Sequence, residues 1–129
     1  MNKLVKNIII SSILMLMLDY IYLSNMSGFF NNLLINIQGS PIKLRVDGAI
    51  LCYILLVAGL NYFILNNSNL NNKQKIKNAF LLGICIYGVY ETTNLAIIQK
   101  WDYKAVLIDT TWGGILFALT TYLTLKINN

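Results

Sequence analysis

The chain contains no histidine, and among its 129 residues it has one arginine, Arg45, one proline, Pro41, and two cysteines. Charge is scarce too: Asp, Glu, Lys and Arg together make up 12% of the residues, about half the 25% or so that a soluble domain carries. Hydrophobic residues supply 57%, which points to lipid as the solvent. With no histidine, no Gly-x-Ser-x-Gly and no phosphate-binding glycine loop, the chain has no recognisable catalytic motif. Cys52 and Cys85 stand singly inside apolar stretches; without the paired spacing of a zinc or redox motif they read as two free, buried thiols. The net charge of +5 does not imply nucleic acid, because the lysines sit in short connections between apolar runs, where they orient a protein in a membrane.

Four apolar runs are present, at about residues 4–23, 46–65, 79–98 and 105–125. Each has the length of about 20 residues that crosses a hydrocarbon core about 30 Å thick. Lipid offers no partner for free backbone groups, so each run must be helical. The first resembles a secretory signal in its Lys3 and Lys6 followed by apolar residues. It lacks the small-x-small cleavage signature and continues past Asp19, so it reads as a retained helix. Four spans put both termini on one side with Lys3, Lys6, Lys73, Lys75, Lys77 and Lys126, against Lys43, Arg45, Lys100 and Lys104 on the other. The positive-inside rule then places both termini in the cytoplasm, in the cell membrane or, for a viral chain, a host or virion membrane.

Within the first connection, Met26, Phe29, Phe30, Leu33, Leu34 and Ile37 repeat at helical spacing. Ser27 can cap the start, and Gly39 with Pro41 stops the helix. The expected architecture is therefore all-α, a bundle of four transmembrane helices with a short amphipathic helix between the first and second spans. The whole chain, 1–129, reads as a single integral membrane domain.

Of the five acidic residues, Asp19, Glu91 and Asp109 fall inside apolar runs. Counted from the helix ends on the Lys43 and Lys100 side, they lie roughly 6 to 11 Å deep, so all share one half of the bilayer. A carboxylate near the bilayer centre costs about 2.5 to 3.5 kcal/mol on insertion scales, somewhat less at these depths. No basic side chain lies equally deep. The carboxyls must then be protonated, bind a cation, or be reached by Lys and Arg stems from the same side. Tyr87, Glu91 and Asn94 follow i, i+4, i+7 spacing on the third helix, and Gly113 with Gly114 permits close approach on the fourth. The expected polar pocket contains Asp19, Glu91, Asn94 and Asp109, with Tyr22, Tyr87, Tyr90 and Trp112 around its rim. The alternative is a set of polar groups that merely hydrogen-bond helices together. Whether the pocket takes a metal stays open; no cofactor is implied.

Four segments carry a resemblance that covers residues from about 18 to 123: Leu18-Asp19-Tyr20-Ile21-Tyr22-Leu23, Leu56 through Phe63, Tyr87 through Ala96, and Asp109-Thr110-Thr111-Trp112-Gly113. Together and in this order they resemble the family of small membrane proteins known as domain of unknown function 2177. In that pattern the third-helix acid is usually Asp and the first motif usually carries Trp, so Glu91 and Tyr22 depart from it. The resemblance implies a four-helix membrane fold with the same embedded polar positions; it implies no activity. Three functions remain open: a binding or assembly component that works as a homo-oligomer or with a membrane protein partner, a proton or cation transporter using the embedded carboxylates, and a membrane-embedded lipid-modifying enzyme or its accessory.

Overall fold

The computed structural model describes residues 1–129, with four helices and no strand. Helix α1 runs Lys3–Gln38, α2 runs Val46–Leu60 and continues as a π-helical turn Asn61–Leu65, α3 runs Asn72–Ile97, and α4 runs Tyr103–Ile127. All four are long and apolar enough to cross a membrane.

The segment expected as a separate short helix is helical but not separate. It continues α1 without a break, giving 36 residues and a length of about 54 Å, well beyond a single membrane crossing. A new helix start at Ser27 would need an extended residue whose side chain caps a backbone N–H. No residue breaks the helix there, and Asn25 instead donates back to the Ile21 carbonyl at 2.8 Å. The expected apolar stripe is used: Phe29, Phe30, Leu33, Leu34 and Ile37 pack on Leu95, Ile98, Trp101, Ala105 and Val106. The helix stops at Gly39, whose φ of 78° is left-handed and whose N–H reaches the Ile35 carbonyl, a geometry glycine adopts without steric cost.

Helix α3 begins at Asn72, ahead of its apolar run. Asn71 and Gln74 form a reciprocal capping box, Asn71 Oδ1 accepting from Gln74 N at 2.9 Å and Gln74 Oε1 accepting from Asn71 N at 3.0 Å. Asp102 caps α4 by accepting from Lys104 N at 2.8 Å.

Helices α3 and α4 form the tightest pair, and glycine makes it so. A Cβ on Gly83 would lie 2.1 Å from the Gly113 carbonyl oxygen, and one on Gly113 would lie 2.4 Å from the Tyr87 ring. Helix α1 packs mainly against α4, and α2 touches the rest of the bundle chiefly through its π-turn. That turn carries Asn61, Ile64 and Leu65 into the interior, as expected of an extra residue that reorients a helix end. The core is Met15, Leu56, Leu60, Ile64, Leu65, Ala79, Leu116 and Phe117. Most other large apolar side chains face outward, as a lipid-immersed bundle requires. Cys52 and Cys85 are free, but both are exposed rather than buried: they lie on outward faces, where lipid takes the place of core.

Candidate functional site

The three embedded acids come from three helices and meet four neutral donors. Asp19 on α1, 7% exposed, accepts from the Tyr53 hydroxyl of α2 and, at 2.9 Å, from Trp112 Nε1 of α4. Asp109 on α4 accepts from the Tyr22 hydroxyl of α1 at 3.0 Å. Glu91 on α3 is 1% exposed and accepts from Trp101 Nε1 at 2.8 Å. Tyr22 and Trp112 stack face to face, centroids 4.6 Å apart and planes 2° from parallel, so the donors to Asp19 and Asp109 support one another. Each embedded acid is thus met by an N–H or O–H donor rather than by a basic side chain, the chain's ion pair being Arg45 with Asp47 outside this site.

A cavity of about 530 Å³ divides the acids by role. Glu91 and Asp109 line it, together with Asn94, Tyr90, Gln38, Ser27 and Lys43, and its remaining walls include Leu23, Phe30, Leu34, Ile42, Ile98 and Trp101. The Glu91 and Asp109 carboxyls, from α3 and α4, thus share one cavity. Asp19 does not line this space; its oxygens are taken up by the Tyr53 hydroxyl and the Trp112 indole N–H. Tyr22 and Trp112 stand behind the cavity wall as donors, while Tyr87 packs on Gly113 and edge-on to Phe117 at 6.5 Å. No group of three His, Cys, Asp or Glu side chains is arranged to hold a metal ion.

Toward the termini the bundle interior is packed with apolar side chains. Met15, one turn from Asp19 on α1, and Leu60, Leu116 and Phe117 are fully buried. Beyond this apolar layer, Asn61 Nδ2 donates to Ser11 Oγ at 3.0 Å, and Asn7 bridges Asn66 and Asn128 at 2.7 Å each. A second, larger groove of about 960 Å³ lies between α1 and α2, carries no charged side chain and is walled mostly by apolar residues; it is a lipid-facing surface.

A family model described as "Predicted membrane protein (DUF2177)" matches residues 4–126, nearly the whole chain. The chain belongs to the DUF2177 family. No curated protein and no solved structure matches it. DUF2177 is a family of unknown function, so membership carries the membrane character and leaves the chemistry to the site. In this DUF2177 protein, reading the sequence alone misses Tyr53, Trp101 and Lys43. The signal for Trp101 is its place in the short connection between Ile97 and Tyr103, close to the end of the helix that carries Glu91.

Proposed function

We propose that this DUF2177 protein is a membrane-embedded binding component whose Glu91 and Asp109 receive a cationic group, an ammonium in particular, from the Lys43 side of the membrane. The observation that carries this reading is that two carboxyls from different helices line one cavity, with a buried apolar layer toward the termini. Two like charges in one cavity of a bilayer are costly, so the empty pair keeps one proton and carries a single negative charge, which an arriving cation neutralises. A calcium ion takes about six to eight oxygen ligands, more than the side chains of Glu91, Asp109 and Asn94 supply. An ammonium has three N–H donors and no acceptor, and Glu91, Asp109 and Asn94 offer it three acceptors on one cavity wall. The seal of Met15, Leu60, Leu116 and Phe117 favours binding over conduction through a single bundle.

Thermal unfolding of the purified protein in an uncharged detergent tests this. A primary amine is expected to raise the melting temperature of the native protein and to leave Glu91→Gln unchanged, since the amide keeps the Trp101 bond but loses the charge. Equal stabilisation of both would refute the reading.

Orientation belongs to the same proposal. Six basic residues on the terminal side against four opposite support cytoplasmic termini and a cavity that opens away from the cytoplasm. Reporters fused to the two ends should both report the cytoplasm. Disagreement between them would remove the four-span topology, and agreement on the outside would reverse the side from which the cavity is filled.

A further inference from the structure

We propose that the ligand is a zwitterion, with its ammonium on Glu91 and Asp109 and its anionic group on Lys43. This deepens the cation-binding reading and rests on it. Lys43 is the one basic side chain that lines the cavity, and it opposes any simple cation that approaches the carboxyls. Like charges repel in the partly screened environment near a protein surface, so a lone ammonium enters against a penalty. A ligand that carries its own anion turns that opposition into attraction.

Charge counting agrees. With one proton kept by the two carboxyls, the cavity lined by Glu91, Asp109 and Lys43 carries one negative and one positive charge, the mirror image of a zwitterion. A zwitterion therefore binds with every charge paired and no net charge brought into the membrane, whereas an unpaired charge there is costly.

Placement also agrees. Lys43 lies in the segment between Gln38 and Val46, at the helix ends, and Glu91 lies six residues inside the end of α3 at Ile97, about 9 Å deeper. A lysine stem reaches inward from such a position while its ammonium stays near water. The two charged stations are thus stacked from rim to floor within one 530 Å³ space. Helix α1 packs mainly on α4, and α3 also packs on α4. The cavity accordingly sits between α1 and α3 above Asp109, walled by Leu23, Phe30, Leu34 and Ile98, where a hydrocarbon attached to the zwitterion would find apolar surface. Trp101 is the one N–H or O–H donor to Glu91, which leaves the second carboxyl oxygen open to the incoming ammonium.

The shared chemistry is that of an ammonium joined to a phosphate or carboxylate. It could arrive as a bilayer headgroup or as a free solute. The test compares O-phosphoethanolamine, ethanolamine and inorganic phosphate as stabilisers of the full-length protein in uncharged detergent, and phosphatidylethanolamine with phosphatidylcholine in nanodiscs. Native protein should respond to O-phosphoethanolamine at a concentration at least about tenfold lower than to ethanolamine, the ratio that one additional charge contact supplies, and should ignore inorganic phosphate. Lys43→Gln should bring the two amines level, while Glu91→Gln should abolish the response to both. Phosphatidylethanolamine stabilising where free O-phosphoethanolamine does so only weakly identifies the bilayer as the source; a strong response to the free compound identifies the solute. Ethanolamine acting as well as O-phosphoethanolamine, with Lys43→Gln leaving or improving its effect, overturns the zwitterion and spares the cation site. No response to any amine in the native protein overturns both.

Discussion

Gly83→Ala is expected to damage the fold more than any other single methyl group added to the chain. Its Cβ would lie 2.1 Å from the Gly113 carbonyl oxygen and 2.6 Å from the carbonyl carbon, so α3 and α4 must separate along their shared face. Overpacking commonly costs about 1 to 3 kcal/mol and at times more. A clash with backbone, which cannot rotate away, belongs at the upper end. Gly59 supplies the control, because nothing lies within 4 Å of a Cβ there; Gly59→Ala should be neutral or gain up to about 1 kcal/mol from reduced backbone freedom in the unfolded state. Denaturant unfolding in mixed micelles measures both. Equal effects at the two positions would show that the close α3–α4 approach is not what holds the bundle.

The second large effect is expected at Asp19. Its carboxylate gathers the Tyr53 hydroxyl and the Trp112 indole N–H, tying α1 to α2 and α4. Asp19→Ala leaves both donors without that partner in a nearly buried site, at about 1 to 3 kcal/mol for each, so about 2 to 6 kcal/mol in total. Asp19→Asn keeps an acceptor oxygen and should lose less than half as much. The comparison separates the acids by role: Asp19→Asn should leave amine binding intact, whereas Asp109→Asn should weaken it while costing little stability.

The helices themselves were legible in the sequence because apolar runs of bilayer length have few other uses. The continuation of α1 to Gln38 was not, since Ser24, Asn25, Ser27 and Gly28 look like a break in composition. Only the packing of Phe29, Phe30, Leu33 and Leu34 on Trp101 and Ala105 holds that stretch in line with the span before it. The acids at 19, 91 and 109 stood out because a carboxylate within an apolar run calls for a partner. Of their partners, Tyr22 and Trp112 stood out as rim residues of the expected pocket, but Tyr53 and Trp101 did not. A search for opposite charges passes over their hydroxyl and indole N–H groups, which satisfy a carboxylate without any charge, and aromatic residues near helix ends read first as interface anchors. Gly83 was hidden for a related reason: one glycine in an apolar helix acquires meaning only when Gly113 is seen opposite it.

The division of the acids leads to the most direct test, the charge preference of the cavity wall. Asn94→Cys, in a protein whose exposed Cys52 and Cys85 are replaced by alanine, places a thiol beside Glu91 and Asp109 in sealed proteoliposomes. A cationic methanethiosulfonate added on the Lys43 side should modify it about tenfold faster than an anionic one, and Glu91→Gln should erase the difference. Equal rates for the two reagents, or modification from the side of the termini, would contradict a cation-binding cavity that opens on the Lys43 face alone.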